Sequence, residues 1–168
     1  MNCGENIDLA SLELEGYQNE LLLALKEVNP HIVTVLIQGR PHVINTVLKH
    51  SQAVLASFYP GSRGGEGIAD VLFGDYNPSG HLSVSIPQHV GQLPCYYNHK
   101  HNGAQKDYVD MPGEALLPFG YGLSYSQFIY RDIKVPKAIK ITDLLENGID
   151  LQLEIYLSLI HISGAHET

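Results

Sequence analysis

A glycine-rich stretch, GSRGGEG at residues 61–67, lies between an apolar run and a predicted helix, as phosphate-binding loops do. The P-loop pattern needs a lysine after its last glycine, but Glu66 follows Gly65, and its carboxylate would repel a phosphate. The dinucleotide pattern GxGxxG also fails, because Asp70 stands where the third glycine belongs. The sequence therefore disfavours a nucleotide site.

The spacing of the histidines and serines does not favour a metal site or a serine nucleophile. His99 and His101 invite a metal site, but HExxH is absent and no three ligands recur at helical spacing. We interpret them as solvated loop histidines and predict neither metal nor cofactor. No serine lies in a GxSxG elbow. Cys3 and Cys95 are the only cysteines, too few for a disulfide scaffold.

The overall charge restricts the class of partner. The 168 residues carry a formal charge of -8 with ten Lys and Arg, whereas non-specific binding to nucleic acid requires clustered basic residues. No run approaches the roughly 20 apolar residues that span a bilayer. We predict no nucleic-acid or membrane partner and favour an uncharged or weakly polar substrate.

The first half of the chain has the pattern of a parallel α/β unit. An amphipathic helix is predicted within residues 11–28, from about Glu15 or Gly16 to a point before Pro30, with one apolar face. A β-branched run at residues 32–37 predicts a strand buried on both faces, and a helix follows at 41–50. A second apolar run and a helix at 68–74 complete the succession.

The second half changes character. Residues 81–87 alternate like a half-buried strand, and residues 88–118 read as long loops, which are often functional. Two strands at 128–135 and 149–157 predict the start of an all-β module. The tail at 157–168 resembles a translated library adapter, so we expect it to be non-native. The alternative is a genuine strand.

Five motifs in order resemble the C-terminal α/β domain of glycoside hydrolase family 3, which includes β-glucosidases and β-xylosidases. They are LxLEGYQNELLLAL, VLIQGRP, FYPGSRGGEGIADVLFGDYNPSGHLSVSIP, VGQLPCYYNHK and PFGYGLSY. The resemblance implies a three-layer α/β sandwich with a mostly parallel sheet over residues 1–128, truncated at its N-terminus. A fibronectin type III-like module would begin at 129–156.

The resemblance also implies a division of catalytic labour. In this family an N-terminal (β/α)8-type barrel supplies an aspartate nucleophile, and the second domain often supplies the general acid/base. The barrel is absent from this chain, so we expect it in the same protein, with a β-glucoside or β-xyloside as substrate. The family favours a secreted or periplasmic protein. The alternative is a non-catalytic α/β scaffold or a module that contacts carbohydrate.

The start of the chain, CGENIDLASLELEG, resembles the family segment SGEGYDRxxLxL, whose glutamate is the acid/base in many members. This resemblance assigns the role to Glu5. Cys3 replaces the serine, Asn6 and Ile7 replace glycine and tyrosine, and Leu9 replaces the arginine. The alternative is that Glu5 is an exposed residue near the terminus without a catalytic role.

The residues alone suggest two weaker kinds of candidate, an arginine and a set of loop tyrosines, and leave the role of each undecided. Arg40 follows the predicted strand at 32–37, and open α/β sheets bind ligands at the carboxyl ends of their strands. A structural ion pair or cap is an equal alternative for it. Several loop tyrosines could stack on sugar rings or simply pack with their hydroxyls exposed; these are Tyr96, Tyr97, Tyr108 and Tyr121.

Overall fold

The computed structural model describes residues 7–98, 107–138 and 140–159, so Glu5, Cys3 and the two loop histidines lie outside the described residues. The chain divides into two compact units, Met1–Leu123 and Ser124–Thr168. Among the described residues no helix is both long and apolar enough to cross a bilayer.

The first unit is mixed α/β, as the sequence predicts. Its elements are α1 (Gln18–Val28), β1 (Val33–Leu36), α2 (Asn45–His50), β2 (Ala53–Ala56), α3 (Gly64–Phe73) and a 3-10 turn (Val90–Gln92). β1 and β2 pair in parallel, with Val33 opposite Ala53 and Leu36 opposite Ala56. The parallel pairing across a helical crossover is confirmed, and the sheet has two strands within the part of the chain described.

A small apolar core joins these elements. Its buried members come from α1, β1, α2 and the later loops: Leu22, Leu36, Ile44, Val47, Leu82 and Ile86. The prediction that β1 is buried on both faces is wrong for these residues, since Val33 is 52% exposed. The predicted apolar face of α1 is likewise largely exposed, and Leu22 is its one buried residue. Within the described residues the sheet contains only β1 and β2, and Leu36 is the one β1 residue that is buried in the core.

Helix α2 begins later than the sequence predicts. The prediction started it at Pro41, but the first helical residue is Asn45. The Val43 amide donates a hydrogen bond to the Leu12 carbonyl at 2.8 Å, and the chain around it is therefore held in a tertiary contact. The predicted apolar side survives, because Val43, Ile44 and Val47 are all buried.

The glycine-rich stretch is mostly helical, and the predicted loop is shorter than expected. Gly61 makes the turn at φ 76°, a left-handed conformation that favours glycine. α3 then begins at Gly64, four residues before the predicted start at Ile68. Gly74 ends the helix in the left-handed conformation at φ 86°, as the sequence predicts.

The strand predicted at residues 81–87 does not form as a regular strand. An isolated antiparallel bridge joins Ile86 to Leu117, and the Leu82 amide donates to the Tyr121 carbonyl at 2.8 Å. The Phe119 amide donates to the Ser85 hydroxyl instead of a backbone carbonyl, which interrupts the ladder. Of the three residues that the alternation predicts to face inward, Leu82 and Ile86 are buried and Val84 is 38% exposed.

The second unit contains an antiparallel hairpin. β3 (Ser126–Lys134) pairs with β4 (Gln152–Leu159), and α4 (Ile141–Asn147), which the sequence did not predict, lies between them in the chain. One face is apolar and exposed, formed by Phe128, Tyr130, Ile155 and Leu157. Residues 157–159 belong to β4 and pair with β3, and residues 160–168 lie outside the described part of the chain.

Two adjacent glycines of α3 provide a matched test of its packing. A Cβ added at Gly64 would lie 2.6 Å from Cγ of the Pro60 ring, whereas one at Gly65 would meet nothing within 4 Å. We expect Gly64→Ala to destabilise the chain by about 1–3 kcal/mol through overpacking. Gly65→Ala should stabilise it by about 0.5–1 kcal/mol. Urea unfolding checks both values, and shifts of the same sign would contradict this packing.

Candidate functional site

The segment that follows Glu5 is held against the connection between β1 and α2. The Arg40 guanidinium Nη2 donates to the Ile7 carbonyl at 3.1 Å. Ile7 is two residues from Glu5 in the chain. Arg40 thus binds the backbone beside the residue that the resemblance identifies as the acid/base.

A second attachment lies further along the same segment, at the Leu12 carbonyl. This carbonyl accepts a hydrogen bond from the Val43 amide at 2.8 Å and a second one from Nδ1 of His42 at 3.1 Å. Because a carbonyl can only accept, Nδ1 carries the proton in this contact. His42 is 2% exposed and Leu12 is also buried, so water competes little for these bonds.

The carboxyl ends of β1 and β2 carry buried polar groups. Gln38 follows β1 and is 4% exposed, yet neither of its amide atoms has a hydrogen-bond partner among the described residues. The Ser57 hydroxyl, which follows β2, is also a buried group without a hydrogen-bond partner in the described part of the chain. Phe58 next to it has φ 48°, a strained backbone conformation for a residue with a Cβ. Buried unsatisfied groups and local strain cluster at functional sites.

A small cavity of about 60 Å³ opens beside Gln38. Its walls come from β1, the β1–α2 connection, the segment before α1 and the first residue of α1, and they include Glu15, Gln18 and His42. The cavity is too small for a sugar ring and has room for a few water molecules. Its polar walls match the unsatisfied amide of Gln38.

Glu66, the carboxylate of the glycine-rich stretch, is paired locally. The Arg63 guanidinium donates to Glu66 Oε2 through both Nε, at 2.8 Å, and Nη2. Both side chains are largely exposed, so the pair contributes little to stability. Arg63 directly precedes α3 and Glu66 lies in its first turn, so the ion pair spans the start of the helix.

A shallow groove of about 650 Å³ runs along the loops of the first unit. Its lining is mostly apolar and includes Ser83, Ser85, Leu93, Cys95, Tyr96, Tyr97 and Phe119. The rings of Tyr97 and Phe119 stack at a centroid distance of 4.4 Å. Partial burial raises the pKa of the Cys95 thiol above its ordinary value, which makes it a poor nucleophile.

The remaining tyrosine candidates have structural partners. The Tyr108 hydroxyl donates to the Gly91 carbonyl at 3.4 Å, and the Tyr121 backbone pairs with Leu82. No group of three His, Cys, Asp or Glu side chains in the described ranges is placed to hold a metal ion.

The structure therefore brings together residues that the sequence pattern treated separately. Arg40 was one of the weaker candidates, and its guanidinium donates a hydrogen bond to the carbonyl of Ile7, 33 residues away. His42 and Gln38 were missed by sequence reasoning. The one available signal was that both polar residues flank the end of an apolar strand, where α/β folds place functional groups.

Comparisons with known proteins agree with this architecture. The family model for the glycosyl hydrolase family 3 C-terminal domain matches residues 1–125. A periplasmic beta-glucosidase of Salmonella typhimurium is 37% identical over 161 residues, which cover 83% of this chain and 21% of that protein. A beta-xylosidase of Formosa agariphila is 39% identical over 149 residues, covering 87% of this chain and 20% of the relative.

Solved structures give the same result. The crystal structure of beta-glucosidase from Listeria innocua in complex with gluconolactone superposes with a TM-score of 0.73 at 37% identity. The match covers 77% of this chain and 19% of that one. The chain thus spans about a fifth of the length of these relatives. With the family model covering residues 1–125, the chain belongs to glycosyl hydrolase family 3, as its C-terminal domain.

Proposed function

We propose that this chain is part of a retaining β-glycosidase, most simply a β-glucosidase, and that it contributes the general acid/base domain. The observation that carries the proposal is the family match, which begins before Glu5 and continues through the β1–α2 connection. The relatives' names, beta-glucosidase and beta-xylosidase, support a β-linked glucoside or xyloside as substrate.

In this proposal one carboxyl group acts as the nucleophile and a second one as the general acid/base. An aspartate of the barrel domain attacks the anomeric carbon while Glu5 donates its proton to the leaving oxygen, so that the glycosidic bond breaks as the glycosyl–enzyme bond forms. A water molecule then attacks the anomeric carbon and gives a proton to Glu5, which restores both groups. Retention requires the two carboxyl groups to lie about 5–5.5 Å apart.

The described residues support a catalytic position for the segment after Glu5. Arg40 and His42 bind this segment next to the carboxyl end of β1, which is the edge where open α/β sheets bind ligands. General acids act only within hydrogen-bond reach of the leaving atom, so a tethered segment suits the role.

We also propose how the wider protein is built. The exposed faces of β1 and α1 suit a larger sheet, namely the three-layer sandwich with a mostly parallel sheet that the resemblance implies. The exposed apolar face of the β3–β4 hairpin suits the start of a fibronectin type III-like module. An N-terminal (β/α)8-type barrel of the same protein would supply the nucleophile.

Replacing Glu5 tests the catalytic assignment. In the intact enzyme that carries this domain, we expect Glu5→Gln to lower turnover of an aryl β-glucoside by about 10²–10⁴-fold, because the amide has no acidic proton to donate. Added azide should restore part of the rate, since this anion attacks the glycosyl–enzyme without a general base. Steady-state kinetics with and without azide measure both effects.

The control for this variant is Glu13→Gln, the same change at an exposed residue of the same segment. It should retain the wild-type turnover. If Glu5→Gln also retains it, Glu5 has no part in the mechanism.

The proposed placement of the nucleophile on the barrel domain predicts that the chain by itself has no activity. Without the barrel nucleophile, the purified chain should give no saturable hydrolysis of 4-nitrophenyl β-glucoside, while the intact enzyme hydrolyses it. Release of the nitrophenol is followed by absorbance. Saturable hydrolysis by the chain alone, abolished by Glu5→Gln, would show that a nucleophile lies within it.

A further inference from the structure

The segment from Glu5 to Leu12 has one deeply buried attachment point. At Leu12 the Val43 amide and the His42 ring donate to one carbonyl, and both His42 and Leu12 are buried. Glu5 lies seven residues before this point. An extended chain of that length reaches about 23–25 Å, so an attachment at Leu12 is a weak constraint on a residue seven positions away.

The hydrogen bond from Arg40 reduces the number of residues between Glu5 and the nearest attachment point. Its Nη2 atom donates to the Ile7 carbonyl at 3.1 Å, and from Ile7 to Glu5 only two residues remain. Two residues span at most about 7 Å. Arg40 lies on the same connection as His42, so both attachments hold the segment to one element, the chain between β1 and α2.

The chemistry of arginine suits this task. The guanidinium is planar, remains charged at all physiological pH values and offers five donors in a fixed geometry. Lysine offers a mobile point charge, and an apolar side chain of similar length, such as methionine, offers no donor. The hydrogen bond to the Ile7 carbonyl is exposed, and an exposed bond contributes little to folding. The position of a catalytic group, in contrast, is sensitive to displacements of about 1 Å.

We propose that Arg40 is a positioning residue for Glu5. It fixes the backbone beside the acid/base and so keeps the carboxyl group within reach of the leaving oxygen. This inference rests on the proposed function, because it needs Glu5 to be the proton donor.

The dependence of rate on the leaving group separates this role from a structural one. Proton donation matters most for poor leaving groups, such as phenols of high pKa, and least for activated ones such as dinitrophenol. In the intact enzyme we would measure kcat/KM for a series of aryl β-glucosides that spans this range. The variants are Arg40→Met, Arg40→Lys, Glu5→Gln as the reference and Arg63→Met as the matched control, an exposed arginine directly before α3.

We expect Arg40→Met to lower kcat/KM by about 10–100-fold for the poorest leaving groups and by less than about threefold for dinitrophenyl glucoside. Glu5→Gln should show the same trend with a steeper slope. Arg40→Lys should recover part of the loss, and Arg63→Met should match the wild type at every leaving group. Thermal unfolding of each variant checks that the folded fraction is unchanged.

Each other result overturns a defined part of the proposal. A steep slope for Glu5→Gln with a flat profile for Arg40→Met would leave Glu5 as the acid and remove the positioning role of Arg40. An equal fall at all leaving groups in Arg40→Met would assign Arg40 to folding or substrate binding. A flat profile for Glu5→Gln would refute the proposed acid/base and, with it, the role of Arg40. If Arg40→Met does not fold, the milder Arg40→Lys gives the decisive slope.

Discussion

The paired hydrogen bonds to the Leu12 carbonyl connect the N-terminal segment to the rest of the first unit. They are buried, they come from two neighbouring residues of the β1–α2 connection, and they delay the start of α2 to Asn45. The Leu12 side chain is itself buried, and the neighbouring Leu14 packs against the core cluster. Together with the Arg40–Ile7 hydrogen bond, this contact holds the described residues before Leu12 to the β1–α2 connection.

The surroundings of this contact combine polarity with burial. Gln38, His42 and the hydroxyl of Ser57 are polar groups withdrawn from water at the carboxyl ends of two parallel strands. Burying such groups is costly unless they bind a partner, so natural proteins keep them mainly where they have a use. The small polar cavity beside Gln38 provides space for ordered water, which would satisfy its amide.

Exposed apolar surface is the second constraint on this molecule. β1 has one unpaired edge among the described residues, α1 buries only Leu22, and the hairpin of the second unit exposes an entire apolar face. Unpaired edges and apolar faces favour association with further chain or protein. This pattern is consistent with a chain that spans about a fifth of its relatives.

The family was recognised from the resemblance of five motifs in order along the chain. Local patterns in the sequence were enough to identify the strand–helix–strand unit, the glycine at the end of α3 and the strands β3 and β4. Each depends on residues close in the chain, whose periodicity and conformational preferences act locally. The start of α2 and the loss of the strand at 81–87 depended on contacts from distant residues. The early start of α3 at Gly64 follows a local turn at Gly61, whose hydrogen bond the sequence pattern did not reveal. The meeting of Arg40 with Ile7 was likewise decided only by the tertiary structure, because a hydrogen bond between residues 33 apart leaves no periodic signal in the sequence.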